Sequence, residues 1–128
     1  MRFFGIIEGD VNARFMLGMP LLGLCMMNDG RCVMGHITGE LVDIQTLGHI
    51  SAGYRGDFMK WVNELKAKFP EGSFPDSYET KTCTYKEACE RALELYPDIM
   101  DVKTVGGPVI KFDMTSIKNK LRKVIESE

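Results

Sequence analysis

The sequence predicts an α+β fold, in which helices pack on the faces of a mixed, mostly antiparallel β-sheet within a single domain over residues 1–128. Three observations support this fold class. Asp29-Gly30 separates two apolar stretches, and this dipeptide is typical of two-residue hairpin turns because both central positions need positive φ. Two later segments carry apolar residues at helical spacing and end at a proline. A chain of 128 residues is also long enough to bury one core.

Four strands are predicted in the first half of the chain. RFFGIIEGD is rich in β-forming residues and predicts a strand that ends at its Gly-Asp. Residues 11–19 are ambiguous between a helical turn and an extended stretch. The hairpin strands cover residues 20–28 and 31–41, and their nearly continuous apolar character predicts a sheet covered on both faces. A third meander strand follows over residues 44–51.

Two amphipathic helices are predicted further along. The first begins at an N-cap, Asp57, and ends before Pro70. Its apolar stripe comprises Phe58, Trp61, Val62, Leu65 and Phe69. Thr84 and Glu87 predict a capping box that opens the second helix. The apolar face of that helix comprises Tyr85, Ala88, Cys89, Ala92, Leu93 and Tyr96.

The remaining segments predict strands and a last helix. EGSFPDS is expected to be a loop, and YETKTCT alternates as a strand does. MDVKTVGGPVIKFDM predicts a second hairpin that turns at Gly106-Gly107. Thr115 or Ser116 is expected to cap a C-terminal helix. The residues of that helix expected to face the core are Ile117, Leu121, Val124 and Ile125.

Charge and hydropathy argue against two classes of partner. A net charge of −2 and a pI near 5.7 disfavour nucleic acid bound by bulk electrostatics. No apolar run approaches the ~20 residues that a membrane span needs, so no membrane association is expected. The N-terminus meets Gly and Glu too early for the apolar region of a signal peptide. A cytoplasmic location is therefore expected.

The cysteines predict no metal site. They stand at positions 25, 32, 83 and 89, and neither gap has the two-to-four-residue spacing usual for structural zinc. The only histidines, His36 and His49, lie outside both pairs. We expect the thiols to be small buried hydrophobic groups in a reducing compartment.

The order of these elements leads to a resemblance. MMNDGRCVMGHITGELVDIQTLGHISAGYRGDFMKWVNEL runs through a hairpin, a strand, a Tyr-Arg-Gly turn and a helix. This order resembles the GNAT superfamily of N-acetyltransferases, in which a turn written roughly Arg/Gln-x-x-Gly-x-Gly/Ala joins the cofactor-carrying strand to a helix. ACERALELYPDIMDVKTV is similar to a later helix and strand of that superfamily. The resemblance covers residues 20–113 and implies an acyl-CoA N-acyltransferase-like fold.

The resemblance implies that acetyl-CoA is the cofactor and that an unidentified amine accepts the acyl group. The implied cofactor-binding residues are Ile50, Ser51, Tyr54, Arg55, Gly56, Asp57, Phe58 and Lys60. Backbone N–H groups at a helix start, together with the helix dipole, attract a diphosphate, and glycines let it approach closely. Phe58 and Lys60 stand where the superfamily has glycines; the cationic Lys60 would compensate in part.

Three residues are candidates for the proton transfers of acyl transfer. The resemblance implies that Tyr96 is the acid for the leaving thiolate; the alternative is a core residue that completes its helix face. Glu40 near the hairpin end and His49 on the cofactor-like strand are candidate bases. His49 suits a base because the ordinary histidine pKa is near neutral; the alternative is a hydrogen-bonded structural residue.

The resemblance implies one of two functions. The first is an acetyl-CoA-dependent N-acetyltransferase. The second is a non-catalytic protein of the same fold with a protein partner, since the chain resembles reduced members encoded by some tailed phages that serve as virion or assembly components. The two differ in whether the turn from Tyr54 to Phe58 binds a diphosphate.

Overall fold

A computed structural model of the chain describes residues 1–9, 21–68, 78–103 and 106–127. In chain order the elements are β1 (Arg2–Gly9), β2 (Leu21–Met26), β3 (Arg31–Ile37), β4 (Leu41–His49), α1 (Phe58–Lys68), β5 (Tyr78–Thr82), α2 (Tyr85–Leu95), β6 (Ile99–Lys103), β7 (Val109–Asp113) and α3 (Thr115–Ser127). The ambiguous segment 11–19, the end of the first helix at Phe69 and Pro70, and the loop over residues 71–77 lie outside the described residues.

The strands form a five-stranded sheet and a separate two-stranded sheet. The larger sheet has the order β4-β3-β2-β1-β5, and every neighbouring pair in it is antiparallel. The second hairpin, β6–β7, forms the smaller sheet. The α+β class and the mostly antiparallel sheet are confirmed. Among the described ranges, no helix is long and apolar enough to cross a membrane.

The first hairpin forms as predicted, but its loop is longer. Met27 N–H donates to the Arg31 carbonyl at 2.8 Å, so the loop contains three residues, 28–30, and not two. Gly30 N–H donates to the Met27 carbonyl at 2.9 Å, and Gly30 has a φ of 85°. This is the type I turn followed by a left-handed glycine that typifies three-residue hairpins. The Asp29 carboxylate stabilises it by accepting a hydrogen bond from Arg31 N–H at 3.0 Å.

Helices cover both faces of the five-stranded sheet, as the apolar strands predict. The buried residues on the α1 side are Phe4, Ile7, Leu22, Leu24, Met26, Cys32, Met34, Leu47, Phe58, Trp61 and Val62, which we call the first core. The buried residues on the side of α2 and α3 are Ile6, Leu21, Ile37, Ala88, Cys89, Ala92, Tyr96, Met100, Met114 and Leu121, which we call the second core. Cysteines 25, 32 and 89 are buried and Cys83 is half-buried; all four are thiols.

Capping side chains fix the starts of the helices. The predicted capping box is confirmed, since Glu87 N–H donates to Thr84 Oγ1 and Thr84 N–H donates to Glu87 Oε1, both at 3.1 Å. The predicted cap of α3 is wrong, because Thr115 and Ser116 are already helical. Asp113 takes that role: its Oδ1 accepts a hydrogen bond from Thr115 N–H at 2.9 Å. The sequence pattern placed the cap late because Thr115 is itself a good capping residue.

Candidate functional site

The segment that the sequence singles out joins β4 to α1 across the edge of the first core. Ile50 packs against this core, and its N–H donates to the Gly30 carbonyl at 2.9 Å. Tyr54 N–H donates to the Ser51 carbonyl at 2.9 Å, which closes a β-turn. Gly53 N–H donates to Ser51 Oγ at 3.2 Å. The hydroxyl of Ser51 therefore stabilises the turn itself.

The Tyr54 side chain explains the glycine of the Tyr-Arg-Gly sequence. Tyr54 is half-buried, with its ring centroid 6.2 Å from that of Phe4 and 6.4 Å from that of Trp61. A Cβ placed on Gly56 would lie 2.1 Å from the Tyr54 phenol oxygen. Burial raises the pKa of Tyr54, and the charges of Glu64 and Asp57 add to this rise. Gly56 thus makes room for an aromatic ring of its own chain.

The start of α1 is already occupied by a carboxylate. Asp57 Oδ1 accepts hydrogen bonds from Met59 N–H at 2.8 Å and from Lys60 N–H at 3.2 Å, so the predicted N-cap is confirmed. Phe58 is 3% exposed and belongs to the first core. The Lys60 and Arg55 side chains are exposed. An acidic side chain therefore holds two of the N–H groups that a helix start would offer to an anion.

Two arginines border a shallow cavity beside this turn. The cavity has a volume of about 560 Å³ and is lined by Arg2, Ala52, Gly53 and Arg55. Arg2 Nη1 donates to the Tyr54 carbonyl, and its guanidinium lies 4.7 Å from the centre of the Phe4 ring. Arg2 was not predicted from the sequence, because 52 positions separate it from Tyr54 and no local pattern joins them.

In this conformation the turn does not fit the diphosphate of acetyl-CoA. A diphosphate at the start of α1 would meet the Asp57 carboxylate, which carries the same sign of charge and already holds two donors. The ring of Tyr54 covers Gly56, the position where a phosphate would need close access to the backbone. Of the implied set, Arg55 and Lys60 keep exposed cationic side chains.

Tyr96 is a core residue. It is 2% exposed, belongs to the second core, and its hydroxyl donates to the Ile37 carbonyl at 3.0 Å. Burial raises the pKa of Tyr96 above its ordinary value. A general acid must reach its substrate and release a proton, and this geometry suits neither. This position matches the alternative stated for Tyr96 from the sequence, a core residue that completes the apolar face of its helix.

The other two candidate catalytic residues lie far apart. Glu40 precedes β4 and His49 ends it, and both are exposed. A strand of this length places them roughly 30 Å apart. His49 is paired with Arg31 on the neighbouring strand. The structure therefore does not bring Glu40, His49 and Tyr96 together into one site.

A second cavity of about 410 Å³ lies between the β1–β5 strands and α2. Its charged lining includes Glu8, Glu79, Glu87, Glu90, Glu94 and Arg91. Arg91 Nε donates to Glu8 at 3.2 Å and Arg91 Nη1 donates to Glu94 at 2.8 Å. With its arginine held by two carboxylates, this groove has the character of a solvated charged surface.

The hairpin of β6 and β7, which we call the hairpin arm, carries a different kind of surface. Four of its large apolar residues are strongly exposed: Ile99 (58%), Val109 (52%), Ile110 (51%) and Phe112 (47%). Every residue of β7 is exposed. Ile110 and Phe112 lie on one face of the arm and Ile99 and Val109 on the other, so each face exposes two large apolar residues. Neighbouring apolar side chains that are exposed mark interaction surfaces. The hairpin was predicted from the sequence but its exposure was not, because an alternating pattern does not tell whether a face is covered.

Comparison with known proteins finds no match for the chain among protein-family models, curated proteins or solved structures. The resemblance to the GNAT superfamily thus rests on the element order and the two short motifs of the sequence.

Proposed function

We propose that this protein is a non-catalytic interaction component, which offers a binding surface to a protein partner and transfers no acyl group. The observation that carries the proposal is the Asp57 carboxylate at the start of α1, where it accepts hydrogen bonds from Met59 and Lys60 N–H. The buried position of Tyr96, whose hydroxyl donates to the Ile37 carbonyl, supports the same proposal. A cytoplasmic location is part of it.

At the start of α1, the Asp57 carboxylate and a diphosphate would compete for the same N–H donors. For a diphosphate to bind, Asp57 has to rotate away, and losing an N-cap costs about 1 kcal/mol. Arg55, Lys60 and Arg2 would favour a diphosphate, since hydrogen bonds to charged groups contribute about 1.5–3 kcal/mol each. Together these favourable contributions exceed the loss of the cap, so exclusion of acetyl-CoA requires that the repulsion between Asp57 and the diphosphate outweigh the difference. A direct titration therefore distinguishes the two functions.

The experiment is a calorimetric titration of the full chain with acetyl-CoA. The wild-type protein is expected to bind no acetyl-CoA at concentrations up to about 1 mM. A dissociation constant of about 1 mM corresponds to a binding free energy of about −4.1 kcal/mol. Asp57→Asn keeps an N-cap and removes the charge. Binding that appears only in Asp57→Asn would identify this carboxylate as the group that excludes the diphosphate.

The matched control pair is Arg55→Ala and Arg122→Ala. Both remove an exposed arginine, but Arg122 lies on α3, away from the turn. Wild-type binding that falls tenfold or more in Arg55→Ala and stays unchanged in Arg122→Ala would contradict the proposal. The N-acetyltransferase would then be the better function for this chain.

A further inference from the structure

The two faces of the hairpin arm differ in character. Directly opposed residues of an antiparallel pair share a face, so Met100 and Phe112 lie on one face and Asp101 and Lys111 on the other. Met100 is 3% exposed and anchors its face in the second core. Ile110 shares this face two residues before Phe112, and both are about half exposed. An apolar face therefore runs from the core out into solvent.

The outer edge of β7 carries a regular row of backbone groups. Met114 N–H donates to the Asp98 carbonyl at 2.9 Å, which makes this a hydrogen-bonded pair that extends the β6–β7 ladder. Such pairs alternate along an antiparallel ladder, so Phe112 directs its N–H and carbonyl toward β6. Lys111 and Asp113 direct theirs away from β6. Within the described ranges β7 pairs with no other strand, so this edge can accept a further strand.

The β4 edge of the five-stranded sheet is less suited to pairing. The ladder between β3 and β4 shifts register twice, between Cys32 and Val33 and between Met34 and Gly35. Such irregularities twist an edge strand and protect it from added strands. The β6–β7 ladder runs from Ile99–Asp113 to Lys103–Val109 with no shift. The edge of the arm is therefore a more regular template than the β4 edge.

We propose that two copies of this chain associate through the outer edge of β7 and form a four-stranded antiparallel sheet around a two-fold axis. This inference rests on the proposed function, because it names a second copy as the partner. Charge complementarity selects both the occupant and the register. A two-fold axis at Phe112 sets Lys111 opposite Asp113 of the second copy, and the symmetry repeats the pair.

The neighbouring registers lack this complementarity. An axis at Lys111 sets two lysines directly opposite each other, which is destabilising. An axis at Ile110 sets Lys111 opposite Val109, with no charge pair. The Phe112 register also suits the backbone, because Lys111 and Asp113 are the residues whose N–H and carbonyl groups point outward. The apolar faces of both copies then join at Phe112.

The proposed contact is small. Stable protein interfaces bury about 800 Å² per partner, and one short strand with two half-exposed apolar side chains offers less. The dimer is therefore weak and depends on concentration. Sedimentation of the full chain is expected to change from 14.4 kDa toward twice that mass as its concentration rises. A protein that stays monomeric up to about 1 mM, the range of weak association, would overturn the inference.

Cysteine cross-linking tests the register. At the axis, the Cα atoms of the two Phe112 residues form a non-hydrogen-bonded pair about 4.5 Å apart, within the range of a disulfide. In a Cys83→Ser background, where the remaining native thiols are buried, Phe112→Cys is expected to form a covalent dimer under mild oxidation. Ile110→Cys is the matched control, because its symmetry mate lies four residues along the strand, about 13 Å away. Cross-linking of Ile110→Cys, or of neither variant, would overturn the proposed pairing.

Charge exchange tests the complementarity. Lys111→Glu faces Asp113 of the second copy and is expected to weaken the dimer tenfold or more. Adding Asp113→Lys restores opposite charges and is expected to restore association. Because Asp113 also caps α3, circular dichroism must show unchanged helix content for the double variant. If the double variant unfolds, the cross-linking of Phe112→Cys and Ile110→Cys tests the pairing instead.

The two proposals fail separately. A dimer that binds acetyl-CoA would overturn the proposed function alone. A monomer that binds no acetyl-CoA would overturn the β7 contact alone.

Discussion

The five-stranded sheet and the hairpin arm are both antiparallel, but only the sheet is covered. All six residues of β2 are buried between helices, whereas all five residues of β7 are exposed. Both hairpin loops contain a glycine with positive φ, Gly30 at 85° and Gly106 at 71°. The two regions nevertheless have different sources of stability. The sheet is stabilised by burial, and the arm depends on its own ladder, its anchor at Met100 and any partner it binds, since isolated hairpins are marginal.

The largest expected difference in stability comes from removing a phenylalanine from the first core, which covers one face of the sheet, and another from the arm. Phe58→Ala removes a ring from the first core and is expected to lower the free energy of unfolding by about 3–5 kcal/mol. Phe112→Ala removes a half-exposed ring and is expected to cost less than about 1 kcal/mol in the dilute monomer. Urea denaturation of both variants measures the difference. Equal losses would mean that the arm is as tightly packed as the sheet.

Local signals made most of the fold predictable. The hairpin at Gly30 and the capping box at Thr84 and Glu87 each depend on a few adjacent residues, and both are confirmed. The loop length was wrong by one residue because Asp-Gly serves both two-residue and three-residue hairpins. The separation of the arm from the main sheet was not predicted, since strand order depends on packing that no short segment encodes.

The candidate site was harder to predict, because the sequence at each of its residues is compatible with both a structural role and a ligand-binding role. The structure shows the structural role. Asp57 was predicted both to cap α1 and to bind the cofactor, and in the structure its carboxylate holds two N–H donors of the helix start. Gly56 suggested close approach of a ligand, whereas the Tyr54 ring takes that space. Tyr96 pairs with Ile37 across 59 positions, a contact that no local pattern reveals.

The next effect in size concerns the polar anchor of the second core. Tyr96→Phe leaves the buried Ile37 carbonyl without this donor and is expected to lower the free energy of unfolding by about 1–3 kcal/mol. Thermal and urea denaturation measure the loss. A variant as stable as the wild type would show that this hydrogen bond does not stabilise the core, and would reopen the role of Tyr96 as an acid.

A smaller loss of stability tests which hydroxyl side chain caps a helix, in α2 or in α3. Thr84→Ala removes the capping-box acceptor of α2 and is expected to cost about 1 kcal/mol. Ser116→Ala is the matched control, because the exposed Ser116 is the second residue of α3 and Asp113 supplies the cap there. Its substitution is expected to change stability by less than about 0.5 kcal/mol. A reversed order of the two losses would restore the predicted cap of α3.

The smallest effect is the pH dependence of the capping box. The hydrogen bond from Thr84 N–H is the main cause that holds the pKa of Glu87 below its ordinary value of 4.5, and further contributions come from the Thr84 side chain and from Lys81. Because the folded pKa is lower than the unfolded one, the stabilisation is fully present above pH 4.5 and is lost as the pH falls through the folded value. Glu87→Gln keeps the acceptor of the capping box but cannot ionise. Its urea midpoint is therefore expected to change less than that of the wild type between pH 7 and the acid side of that ordinary pKa. Identical profiles for the two proteins would show that the capping box of α2 contributes nothing to the acid sensitivity. Other carboxylates with lowered pKa values, such as Asp98 and Asp113, would then account for it.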